Sequence, residues 1–100
     1  MVKLQGKIKK ILQTEIYSNF EKRIFWIEEV AEKYANTFLL ELWKDDCKMI
    51  DSYSVGDYVT VYIDIKGKVF TRKDGTTGVI NTLKCWNFEK DGKSFKEIKN

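Results

Sequence analysis

Histidine and proline are absent from this 100-residue chain, and cysteine occurs only twice. Each absence removes a class of function. Without histidine, the commonest general base and metal ligand near neutral pH is missing. Cys47 and Cys85 lie far apart with no histidine beside them, which is not a zinc spacing. The glycine-containing run GKVFTRKDGTTG lacks the spacing and the strand-to-helix setting of a phosphate-binding loop. Asp45-Asp46 is better read as a helix cap than as a catalytic carboxylate pair. The chain is therefore expected to be a non-enzyme, with no catalytic, cofactor-binding or metal-binding residue and no small-molecule substrate.

Long apolar runs are also missing, so neither a membrane span nor a signal peptide is expected, and the cytoplasm is the expected compartment. There the two cysteines should be reduced thiols packed in the core. Neither charge sign dominates: 18 basic against 15 acidic side chains leave +3. That excludes the strongly basic footprint of a histone-like protein but permits a local basic groove. The lack of proline suits a chain built mainly of hydrogen-bonded strands.

Alternation is what the sequence has in quantity. Thr37–Trp43 places Phe38, Leu40 and Leu42 on one face, and Val59, Val61, Ile63 and Ile65 repeat the pattern further on. Between them the spacing predicts a short helix, capped by Asp45 or Asp46, with Cys47, Ile50 and Tyr53 on one side. Gly56-Asp57 then turns the chain. Residues 2–12 begin Val2, Leu4, Gly6, Ile8 and slip phase at Lys9-Lys10, which predicts a bulge in a long bent first strand. Residues 13–21 read as the first loop. Residues 22–30 read as the second strand, with Phe25 and Ile27 inward and Ile24 and Trp26 outward. Residues 31–36 read as a connection, with Asn36 suited to a positive φ. Gly67 is expected to start a new short segment, Asp74-Gly75 a hairpin turn, and 79–89 the last strand. There Leu83 and Cys85 should face inward, and Trp86 and Phe88 the other way. Asp91-Gly92 reads as a turn into a polar tail over about 90–100. This is one domain over 1–100, all-β with one short helix: a five-stranded Greek-key β-barrel whose helix lies between the third and fourth strands.

The pieces LQGKIKKIL (4–12), KRIFWIEE (22–29), LLELWKDD (39–46), VGDYVTVYIDIKG (55–67) and TLKCWNFEK (82–90) resemble a known family. It is a family of small OB-fold proteins of unknown function from Bacteroidota and their phages, related in form to single-stranded-DNA-binding proteins. The resemblance implies the OB-fold, a bacterial or phage-infected cell as the setting, and, more loosely, single-strand binding.

The residues themselves supply a mechanism for such binding. Fourteen of them are aromatic, interleaved with lysine and arginine. Bases stack on flat rings and cations follow the phosphates, with little demand on sequence. An OB barrel offers the face of its second and third strands and the loops beside it. The candidates are therefore Trp26 and Trp43 on those strands, with Lys22 and Lys44 beside them and Arg23 nearby in the phase of Phe25. Tyr17 and Phe20 follow in the first loop, and Phe70, Arg72 and Lys73 in the connection before the last strand. Lys7, Lys9, Lys10 and Lys84 could add phosphate contacts. The expected partner is single-stranded DNA, with RNA as the lesser candidate. The rival expectation is a protein-interaction or homodimerisation module, in which Ile24, Trp26, Leu39 and Trp43 form an apolar interface.

Overall fold

The computed structural model describes residues 2–90. Six strands are present among them: β1 (Val2–Ile11), β2 (Glu15–Tyr17), β3 (Phe20–Glu29), β4 (Thr37–Trp43), β5 (Tyr58–Thr71) and β6 (Thr77–Lys90). A 3-10 helix, Lys44–Ser52, joins β4 to β5. Around the barrel the order is β1-β5-β6-β4-β3, and β3 returns to β1. Among the described residues, β2 is a short outer strand paired only with β3. With β2 set aside, the helix lies between the third and fourth barrel strands. This is the OB arrangement.

Closure depends on β1 serving two neighbours. Its first half pairs with β5 from Val2 to Lys7, and its second half with β3 from Gly6 to Ile11. The register slips between Ile8 and Lys10, where the sequence loses its phase. Gly6 lies where both ladders overlap. A Cβ there would stand 2.3 Å from the Glu28 carbonyl oxygen. The opposite seam is a single parallel pairing, Glu41 with Lys84.

The inward residues follow the alternation. Phe25 and Ile27 of β3, Leu40 and Leu42 of β4, and Val59, Val61 and Ile63 of β5 are all buried. Lys44, at φ 55°, swings the chain from β4 into the helix. Cys47 and Ile50 then seal the barrel, with Met49 and Tyr53 packed at the edge. The helix packs against β3, β4 and β6. Gly56, at φ 101°, makes the turn into β5.

The structure departs from the sequence reading in several places. Residues 13–21 are not simply a loop. β2 and β3 form a hairpin with Ser18 in the left-handed region at its turn. Neither Asp45 nor Asp46 caps the helix; Trp43 is the N-cap, without a side-chain bond, and the aspartates lie in the first turn. Asn36 does not take a positive φ. Its carbonyl oxygen accepts the Glu29 N–H at 2.9 Å, and its side-chain amide donates to Glu29 Oε2 at 2.9 Å. Gly67 interrupts nothing, since β5 runs on to Thr71. Ile65 is 64% exposed: among the described residues β1 reaches along β5 only as far as Ile63, and Ile65 lies past the buried core. Phe88 faces inward, against Phe25 and Tyr53 at 5.3 and 5.1 Å between ring centres. A bulge explains this: Cys85 pairs with Ile63 but Asn87 with Tyr62, so Trp86 is the extra residue and the phase resets. The turn at Asp91-Gly92 and the polar tail beyond Lys90 lie outside the described residues.

Both cysteines are free and buried, as expected. Burial pushes the Cys85 thiol up to about 12, and Cys47 in the same direction. An unfolded thiol ionises near 8.5 (about its ordinary value). Above that pH the unfolded chain releases a proton that the folded chain keeps. Stability is therefore complete below about pH 8.5 and falls as pH rises, by at most about 1.4 kcal/mol per pH unit for Cys85. Denaturant midpoints measured from about pH 8 to 11 should show this decline, with a shallower one in Cys85→Ala.

Candidate nucleic-acid interface

The outward face of β3 and β4 is built from cross-strand pairs. Strand alternation turns Phe20, Lys22, Ile24 and Trp26 outward on β3, and Leu39, Glu41 and Trp43 outward on β4. Lys22 stands opposite Trp43, Ile24 opposite Glu41, and Trp26 opposite Leu39. Across the hairpin, Tyr17 stands opposite Phe20 and Glu15 opposite Lys22. On the other side, β1 brings Lys10 opposite Trp26. The parallel seam brings Lys84 beside Glu41.

Each ring on this wall has an ammonium group at it. Lys10 Nζ lies 4.7 Å from the centre of the Trp26 ring, and Lys84 Nζ 5.4 Å from that of Trp43. Lys22 approaches Tyr17 at 5.6 Å, and Lys44 approaches Phe20 at 6.0 Å. Trp26 is exposed, while Trp43 and Phe20 are half-buried and meet edge-on at 5.6 Å. The Trp43 indole N–H donates to Glu41 Oε1 at 2.8 Å, which fixes the ring. The Tyr17 hydroxyl donates to Glu15, and that bond holds its pKa above the ordinary phenol value. Carboxylates are present but engaged: Glu28 lies 3.8 Å from Lys9 Nζ, and Glu41 lies 4.0 Å from Lys22 Nζ. Among the described residues no acidic or cysteine cluster is suited to hold a metal ion.

Of the residues picked from sequence, Trp26, Trp43, Tyr17, Phe20, Lys22 and Lys44 come together on this side. Tyr17 and Phe20 do so as strand residues rather than loop residues. Arg23 is not with them. It shares the inward phase of Phe25, and its partner across the ladder is the buried Leu42. Its side chain donates to the Leu12 carbonyl at 2.8 Å, the Cys47 carbonyl at 3.3 Å and Asp51 Oδ1 at 2.7 Å. Arg23 therefore ties the helix to the barrel. Arg23→Ala should lower stability by about 1–3 kcal/mol in urea denaturation, because it leaves those carbonyls unpaired.

Phe70, Arg72 and Lys73 lie on an arm. Beyond Ile63, β5 has β6 as its only partner among the described residues, so the two continue as a two-stranded ribbon to the turn at Lys73–Gly75. Lys66, Lys68 and Phe70 share one face with Ile80 and Thr82. The Arg72 guanidinium covers the Phe70 ring at 4.9 Å, and the ring also lies over Gly78. Phe70 is thus half-buried, and Lys73 stands exposed in the turn. A groove of about 410 Å³ joins arm to wall, lined by Trp43, Lys66, Gly67, Lys68, Ile80 and Thr82. Lys66, Lys68 and Glu41 also belong to this surface, although they are not among the residues expected from sequence. The alternation of Lys66, Lys68 and Phe70 would have shown the first two, had the strand been carried past Gly67. The apolar strip Ile24, Trp26, Leu39 and Trp43 is interrupted, since Glu41, Lys22 and Lys10 stand opposite three of its members.

Residues 3–89 match the model of the family described as Domain of unknown function (DUF3127). The chain belongs to that family. No curated protein matches it. Among solved structures it is similar to Rim1, a mitochondrial single-stranded DNA binding protein from S. cerevisiae. The identity is 20%, the TM-score is 0.69, and 91% of this chain and 95% of that one are covered. It is also similar to the second single-stranded DNA binding protein (SSBb) of Mycobacterium smegmatis. There the identity is 13% and the TM-score 0.61, with 90% of this chain and 86% of that one covered. At these identities the likeness establishes the OB-fold of this DUF3127 domain. No helix among the described residues is long and apolar enough to cross a membrane.

Proposed function

We propose that this DUF3127 protein is a non-enzymatic single-stranded-DNA-binding protein of low sequence specificity, working in the cytoplasm of a bacterial or phage-infected cell. The observation that carries this reading is the wall of β3 and β4, where Tyr17, Phe20, Trp43 and Trp26 each lie beside a lysine. Flat rings accept bases by stacking, and the neighbouring ammonium groups meet phosphates. No fixed hydrogen-bond pattern to base edges is needed, so tolerance of sequence follows. The groove at Trp43 leads the strand toward Lys66 and Lys68 on the arm. The same fold in two proteins described as single-stranded DNA binding supports the reading. The test is quenching of tryptophan fluorescence by oligo-dT at low and moderate salt. The expected result is quenching that weakens as salt rises. Absence of quenching at low salt contradicts the proposal, and oligo-U in place of oligo-dT separates DNA from RNA preference.

A second reading, self-association, rests on the other face of the arm. Ile65, Val69 and Val79 are about equally exposed, at 64%, 65% and 64%. Gly67, Thr71, Thr77, Asn81 and Leu83 share their face, and none of these residues is charged. A two-stranded ribbon with free edges is marginal alone. With no cation to meet phosphate, an uncharged β-branched strip suits a copy of itself across a two-fold axis. Light scattering should then give a mass above the monomer's, and Val69→Lys should reduce it. A wild-type monomer at high micromolar concentration contradicts this reading.

A further inference from the structure

A carboxylate at the centre of a phosphate-binding wall opposes binding unless it has a role there. Glu41 holds that position. It lies outward on β4, between Ile24 on β3 and Lys84 on β6. Its side chain is only 18% exposed, and that of Lys22 only 26%. One carboxylate oxygen accepts the Trp43 indole N–H at 2.8 Å, and the other faces Lys22 Nζ at 4.0 Å. The two oxygens thus serve a stacking ring and a phosphate-facing cation at once.

We propose that Glu41 is an internal counter-ion, which phosphate displaces from Lys22 when a single strand binds. The inference rests on the nucleic-acid reading above and assigns how that site is regulated. In the free protein, the Lys22 charge is already compensated by a fixed carboxylate rather than by salt ions. Binding exchanges one partner for another. Lys22 therefore releases few salt ions, and the Glu41 charge, left without its partner, then repels the strand. Both effects weaken binding and make it less sensitive to salt than the number of lysines implies. Lys10 is the contrast: no carboxylate among the described residues lies within ion-pair distance of it, and it rests on Trp26. The ring-holding role is separable, because glutamine keeps an oxygen for the Trp43 N–H and loses only the charge.

The experiment is an oligo-dT fluorescence titration over a salt series, on the full chain. Glu41→Gln should bind about fivefold more tightly at low salt, as expected for release of a partly exposed ion pair. Its plot of log affinity against log salt should steepen by about 0.7, one added phosphate contact. Lys22→Gln alone should change the slope less than Lys10→Gln does. Lys22→Gln in the Glu41→Gln background should restore the wild-type slope. A Glu41→Gln variant that binds no tighter with an unchanged slope overturns the proposal. So does a Lys22→Gln slope change as large as that of Lys10→Gln, a comparison that stands even if Glu41→Gln does not fold. Failure of the wild-type protein to bind oligo-dT at any salt instead overturns the nucleic-acid reading itself.

Discussion

Gly6→Ala should cost about 3 kcal/mol or more of folding stability, the upper range for an overpacked site. The added methyl meets the Glu28 backbone and the buried Ile27 side chain. It would lie 2.3 Å from the Glu28 carbonyl oxygen, 2.9 Å from its carbon and 2.8 Å from Ile27 Cγ2. Relief requires β1 and β3 to separate where β1 also pairs with β5. The barrel has no slack at that point, because the same residue serves both ladders. A domain of this size has roughly 5–15 kcal/mol in total, so the loss is a large fraction. Urea denaturation followed by tryptophan fluorescence measures it. A midpoint within error of wild type would mean that β1 does not close the barrel as described.

Trp26→Ala should weaken oligo-dT binding by about 5- to 150-fold, the range of one base-stacking platform. Trp26 is the more accessible of the two wall tryptophans, and its loss leaves the core intact. Its neighbour Leu39 is also exposed, and Trp26 is not a member of the buried core. The salt slope should hardly change, since no cation is lost. Lys10→Gln should do the reverse, with a modest loss of affinity and a slope lower by about 0.7. The paired measurement separates stacking from charge on adjacent side chains. Equal slopes in Lys10→Gln and wild type would remove Lys10 from the phosphate track.

Much of this architecture was legible in the residues because burial imposes a strict period. Leu40 and Leu42 of β4, and Val59, Val61 and Ile63 of β5, lie inside where alternation puts them. The break at Lys9-Lys10 marked the bulge that lets β1 bend. Legibility failed where a ladder, not a pattern, decides. Ile65 continues the alternation of β5, but among the described residues β1 reaches only to Ile63, so the same phase points into water. Trp86 adds one residue to β6, and everything after it changes face, which carried Phe88 into the core. Arg23 misled for a related reason. A cation beside an exposed ring invites a phosphate, yet its phase points inward, toward carbonyls that need a donor. The arm was hidden because Gly67 reads as a break, although its backbone continues the strand opposite Asn81.

The most direct test of the central claim is a map of the bound surface by amide and indole N–H chemical shifts of the isotope-labelled chain, titrated with oligo-dT. The largest changes are expected at the indole N–H groups of Trp26 and Trp43, and along Phe20–Trp26 and Leu39–Lys44. Smaller changes should follow at Lys66 and Lys68. Changes confined to the Ile65, Val69 and Val79 face, or to the wall of β1 and β5, would contradict it.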